Sequence, residues 1–142
     1  MHSNIFYCVL LIGFQQVFSL EFPDELYDKH SLECMKKVNV DKAFVNKVMD
    51  EDFHISKITP KLNEFMECVA ASKNALNEAG KMNRDILYND VLNGLLPLMN
   101  KTKDQVEIAN KVTDECIDVI HEHTENRFMH LHNCLVDAAN KH

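Results

Sequence analysis

Histidine and cysteine are the residues in this chain whose types and spacing bear on chemistry, with eight of the first and five of the second. His121, His123, His130 and His132 crowd together as two H-x-H pairs, a spacing that invites a metal reading. On a helix, however, residues two apart point about 200° from each other, so neither pair chelates without unwinding. The H-E-x-x-H pattern of zinc proteases is absent. A solvated or pH-sensing surface is the expected role, because imidazole titrates near physiological pH. The acids of Asp50-Glu51-Asp52-Phe53-His54 lack the glycine and terminal glutamate of a calcium loop and read as a solvated turn. A secreted hydrolase such as a phospholipase would need a His-Asp pair beside cysteines and a glycine-rich calcium loop, and the sequence has neither. No catalytic residue, metal or cofactor is therefore expected.

The cysteines are read with the amino end. Residues 5–14 carry no charged side chain and are too few to span a bilayer, which takes a helix of about 20 residues. With Val17-Phe18-Ser19 following, this is a signal-peptide core, with cleavage expected after Ser19 although only the terminus and His2 supply its amino-terminal charge. Cleavage removes Cys8 and leaves residues 20–142, a length that suits one domain. Cys34, Cys68, Cys116 and Cys134 remain, an even number in a chain bound for an oxidising compartment, so two disulfides are expected. Four cysteines permit three pairings, and spacing alone does not choose among them. Zinc is disfavoured because no two of them sit at C-x-x-C spacing.

The first 19 residues contain no Asp, Glu, Lys or Arg, so the net charge of −7 belongs to the mature part. Such a surface repels phosphate backbones and anionic lipid, which excludes nucleic acid as a partner and argues against membrane docking. No second apolar stretch supports stable membrane insertion.

The elements that must position these residues are helical. Residues 23–35 and 41–49 give two short helices, the second behind the acidic cap Asp41. Thr59-Pro60 starts a third, expected to run to about residue 79 on a stripe of Leu62, Phe65, Met66, Val69 and Leu76, with Gly80 as its left-handed cap. Residues 85–92 form a fourth, halted near Gly94 and Pro97, with Leu95, Leu96, Leu98 and Met99 buried after it. Thr102-Lys103-Asp104-Gln105 matches a capping box that opens a long fifth helix to His121. A sixth spans about 124–139 and presents Phe128, Leu131, Leu135 and Ala138. The fold class is all-α, about six helices joined by short loops.

The four cysteine positions, with the leader peptide, resemble an insect odorant-binding protein of the general and pheromone-binding family. The six-cysteine family pattern separates its second and third cysteines by three residues and its fifth and sixth by eight. Cys34, Cys68, Cys116 and Cys134 match the first, third, fourth and sixth, which puts Glu64 and Glu125 where the second and fifth would stand. That is the pattern of the Minus-C subgroup. The segment Glu78-Ala79-Gly80-Lys81-Met82-Asn83 and the stretch from Glu125 to Cys134 are further points of likeness. The resemblance implies bridges Cys34–Cys68 and Cys116–Cys134, an internal hydrophobic cavity and a secreted, extracellular carrier. It also implies a small hydrophobic ligand, a membrane receptor as a further partner, and a monomer or weak homodimer. With few residues after Cys134, the long carboxyl tail that enters the cavity in some members is expected to be absent. If Glu64 and Glu125 face each other, one must carry a raised pKa or swing to water, and swinging is the expectation.

A ligand pocket needs apolar and aromatic walls with few polar groups. The candidates are Phe65, Met66, Val69, Met82, Leu87, Leu95, Leu96, Val112, Val119, Phe128 and Leu131, inward residues of the third to sixth helices. Six mature-chain methionines suit a wall that reshapes around several ligands, though they serve equally as gap fillers. Asn100-Lys101-Thr102 is a glycosylation acceptor, with Thr102 expected to be engaged in capping. The competing reading is a secreted helical signalling or venom-type protein that acts on another protein and has no cavity.

Overall fold

A computed structural model describes residues 27–142. The expected leader peptide and cleavage point, and Cys8, lie outside the described residues.

Six helical segments carry the fold, and the first four begin at a side-chain cap that the local sequence provides. Helix α1 is Lys29–Val38; the Asp28 carboxylate accepts from the Ser31 backbone N–H at 2.8 Å, satisfying a donor that the first helical turn leaves open. Helix α2, Lys42–Asn46, is capped in the same way by Asp41. Helix α3, Pro60–Ser72, starts at Thr59, whose hydroxyl accepts from Leu62, with Pro60 at the first position. Helix α4 comprises the contiguous pieces Arg84–Asp90, Val91–Leu95 and Leu96–Leu98, the middle one π-helical. Helix α5 is Gln105–Cys116, interrupted at residues 117–118 and resumed over Val119–Glu122. Helix α6, Arg127–Lys141, is the longest uninterrupted α-helix among the described residues.

Three boundaries differ from the sequence expectation. Helix α3 stops at Ser72, because Asn74 takes the left-handed conformation (φ 54°) and the Ala75 N–H closes on the Ala70 carbonyl. The next residues double back in a turn where Leu76 bridges Met82, and Gly80 (φ 79°) belongs to that turn rather than to a helix end. Helix α4 does not halt at Gly94 but runs through it, the π-helical turn absorbing an extra residue. The capping box is not made: Asp104 precedes α5 in a left-handed conformation without a side-chain cap, and Gln105 donates instead to the Lys101 carbonyl at 2.8 Å. Thr102 is exposed and takes no part in a cap.

Two disulfides cross-link the helices. Cys34–Cys68 ties α1 to α3, and Cys116–Cys134 ties the end of the first α5 piece to α6, each with Cα atoms 5.8 Å apart. The buried residues divide into two clusters along the same lines. One gathers Cys34, Met35, Val38, Ile55, Leu62 and Phe65 from α1, α3 and the loop between α2 and α3. The larger one draws on α4, α5 and α6, centred on Leu96, Val112, Cys116 and Val136, all essentially without exposure. Met66 packs against both. Across the junction, Arg127 of α6 grips Glu67 of α3 through two hydrogen bonds of 2.9 Å. That bidentate fork fixes the spacing of two helices whose apolar faces do not close on each other completely.

The loop after α2 is more than a solvated turn. Its acids are exposed and Asp50 accepts from the Asp52 and His54 backbone N–H groups, but Phe53 (φ 68°) turns inward and Ile55 is buried. Asn133 of α6 pairs with both the N–H and the carbonyl of Ile55, at 2.8 and 3.0 Å, and His54 lies 2.6 Å from Asp137. The loop is thereby strapped across α6.

Candidate functional site

Where the two clusters meet, the helices border an open-mouthed cavity of about 530 Å³. A pocket between roughly 300 and 1,000 Å³ is the size that holds a small organic ligand. Phe65, Met66, Val69 and Ala70 of α3 form one wall, and Phe128, Leu131 and Leu135 of α6 the opposite one. Leu87, Val91, Leu95 and Leu98 of α4 lie along a third side, with Ala75 and Met82 entering from the turn after α3 and Met49 from the loop after α2. The helical period explains this: Phe65 to Val69, Leu87 to Val91 to Leu95, and Leu131 to Leu135 are each four apart, so one stripe per helix faces the space.

Of the residues singled out from sequence, Phe65, Met66, Val69, Met82, Leu87, Leu95, Phe128 and Leu131 line the cavity. Leu96 and Val112 are fully buried in the larger cluster behind its wall. Val119 borders a separate depression of about 370 Å³ among Glu115, Glu122, His123, His130 and Asp137. The sequence reading missed Val91 and Leu135 on the wall, although both continue stripes already recognised. It also missed every polar wall group, which no periodicity marks.

Those polar groups concentrate at one rim. Lys73, just past the end of α3, reaches Asp28 at the start of α1 (3.2 Å) and Asp90 in α4 (2.9 Å). Burial opposes the charge on Lys73, but the two carboxylates outweigh it and raise its pKa. Asp28 is likewise partly desolvated, yet the Ser31 N–H and Lys73 bring its pKa below the ordinary carboxylate value. Ser31, Asn89 and Asn93 complete the rim. On the wall itself stands His132, its Nε2 2.6 Å from the Phe53 carbonyl.

The other histidines group differently from the sequence expectation. The chain leaves helical geometry at His123, whose ring stacks on His130 with centroids 3.6 Å apart. The pairing is thus between the two H-x-H motifs rather than within either. Among the described residues no group of three or more His, Cys, Asp or Glu side chains is arranged to hold a metal. No described helix is long and apolar enough to cross a membrane.

Helices held by these two bridges around an apolar space agree with the sequence pattern of the PBP/GOBP family, which matches residues 21–138. The chain belongs to the PBP/GOBP family. No curated protein and no solved structure matches it. PBP/GOBP proteins are insect pheromone- and odorant-binding proteins, binding proteins rather than enzymes. In this PBP/GOBP chain Glu64 and Glu125, at the two positions where the six-cysteine pattern has its further pair, are both exposed, so neither carboxylate is held in the interior.

Proposed function

We propose that the chain is a secreted carrier that holds one small hydrophobic molecule, an odorant, pheromone or similar semiochemical, in the cavity between α3, α4 and α6, and performs no chemistry on it. In this reading residues 1–19 are a leader peptide, residues 20–142 the carrier domain, and the four-cysteine arrangement that of the Minus-C subgroup. The ligand contacts are Phe65, Met66, Val69, Met82, Leu87, Leu95, Phe128 and Leu131. Delivery to a membrane receptor by a monomer or weak homodimer completes the proposal.

One observation carries it: a cavity of about 530 Å³ whose walls are aliphatic, aromatic and thioether side chains and whose ionic groups are confined to one rim. Water in such a space forfeits hydrogen bonds, so an apolar molecule that displaces it gains both hydrophobic transfer and contact energy. Membership of a family of binding proteins and two bridges that suit an oxidising extracellular medium support the same reading.

The test is fluorescence of N-phenylnaphthylamine mixed with the mature protein. A carrier produces a saturable, blue-shifted signal that alcohols, esters or fatty acids displace. A signalling protein with a filled interior leaves the dye in water, and a flat titration with correctly bridged protein refutes the proposal.

A further inference from the structure

His132 is the only histidine on the cavity wall among the described residues. Its Nε2 sits 2.6 Å from the Phe53 carbonyl oxygen, and since that oxygen only accepts, Nε2 carries a hydrogen. Burial lowers the pKa of the ring; the Phe53 carbonyl and Asp50 oppose this and His54 adds to it. At neutral pH the ring therefore has one proton, already committed to Phe53. That fixes the tautomer and makes Nδ1 a lone-pair acceptor. His132 makes no other hydrogen bond among the described residues, so Nδ1 of this wall residue has no protein partner.

The rim offers no competing anchor of opposite sign. Lys73 is already matched by two carboxylates, and the trio of Asp28, Lys73 and Asp90 has a net charge of about −1. A carboxylate in the cavity shares it with that negative rim and with the Nδ1 lone pair, and both disfavour it. An ester or ether oxygen also lacks a hydrogen to give, so binding one leaves Nδ1 without a partner where water has been expelled.

We propose that Nδ1 of His132 is the orienting acceptor of the cavity and that the ligand is an apolar chain ending in a hydrogen-bond donor, a hydroxyl or an N–H, rather than an ester, ether or carboxylate. The inference rests on the carrier reading and specifies the chemistry of its ligand. Phe53 and the strap beneath it hold the ring in register, so loop and α6 together present the acceptor.

The experiment displaces N-phenylnaphthylamine with dodecanol, dodecyl methyl ether and dodecanoate at neutral pH. One net hydrogen bond makes dodecanol roughly three- to tenfold tighter than the ether, with dodecanoate weakest. His132→Phe keeps a ring of similar shape and brings alcohol and ether to parity with each other, whatever its effect on dye affinity. Because that variant also loses the bond to Phe53, imidazole nitrogen NMR on the unaltered protein provides the second measurement: Nδ1 shifts on adding dodecanol and stays put on adding the ether. Equal affinities of alcohol and ether, or an Nδ1 resonance indifferent to both, overturn the inference and leave the carrier reading intact. Failure of the dye and all three competitors to bind overturns both.

Discussion

Gly94 offers a direct way to ask whether the space between the helices holds the ligand. It lies in the π-helical turn of α4, lines the cavity, is not left-handed, and a Cβ built on it meets no atom within 4 Å. A side chain added there enters open space instead of a neighbour. Gly94→Ala should stabilise the fold by up to about 1 kcal/mol, the usual cost of glycine inside a helix. Gly94→Leu adds burial of an apolar side chain, about 1.5 to 3 kcal/mol if the cavity receives it. In a domain of this size each of those kilocalories raises Tm by roughly 4 °C. Binding should move the other way. Four side-chain carbons displace about four ligand carbons, and at about 0.8 kcal/mol per buried CH₂ the loss is about 3 kcal/mol, roughly two-hundredfold in Kd. The penalty should grow with ligand length, severe for dodecanol and slight for hexanol, which has room left over. Urea melts without ligand and dye displacement by an alcohol series give the two readings. If Gly94→Leu destabilises the protein, or binds dodecanol as the parent does, the space beside Gly94 is not the ligand site.

The remaining predictions concern the bridges, the rim and the wall histidine. Replacing Glu64 and Glu125 together with Cys should form a third disulfide; closing a loop of about 60 residues gains roughly 4 kcal/mol in the chain-entropy treatment, and a thermal scan should move up by on the order of 10 °C, with mass spectrometry showing two hydrogens lost. Lys73→Met should cost at most about 1 kcal/mol, since both carboxylate partners are more than a third exposed. The same change should return the Asp28 pKa toward 3.8 and speed dye release in stopped flow, because the tie between α1, α3 and α4 is gone. His132 titrates below 6.5 in the folded chain, so the unfolded chain binds more protons just under that pH. Its contribution to stability is therefore complete above 6.5 and declines as pH falls from there through the folded-state value; a urea-midpoint profile should show that decline, and His132→Phe should flatten it.

The helices were legible where they carry a 3.6-residue stripe or a recognisable cap: Asp41 before Phe44, Thr59 before Pro60, and Phe128, Leu131 and Leu135 along α6. The pairing of the cysteines was not, since three pairings fit the spacing; the family resemblance implied the pair of bridges that the structure contains. What failed did so for local reasons. Asn74 ends α3 because asparagine tolerates the left-handed region, and Gly80, six residues later, carries the stronger left-handed signal in sequence. Thr102 satisfied the capping-box pattern, but the left-handed Asp104 starts the helix two residues later. The stacked His123 and His130 became neighbours only because the chain unwinds between them, an event with no periodic signature.

The cavity wall divides along the same line between local pattern and long-range closure. Apolar wall residues announce themselves by spacing within one helix, which is why Phe65, Leu87 and Leu131 were found. Leu96 and Val112 have equally apolar spacing and lie behind the wall, because which side of a buried helix faces empty space depends on its neighbours and not on its own sequence. Lys73 joins elements at residues 28 and 90, and His132 is oriented by a carbonyl at residue 53. Each of these contacts needs the finished fold. The two bridges lie one within each solid cluster and leave the junction between clusters free of disulfides, with Arg127–Glu67 spanning it by hydrogen bonds alone. Helix α3 belongs to both clusters, Leu62 and Phe65 to one and Ala70 to the other, so the unfilled seam runs beside a helix that the two clusters share.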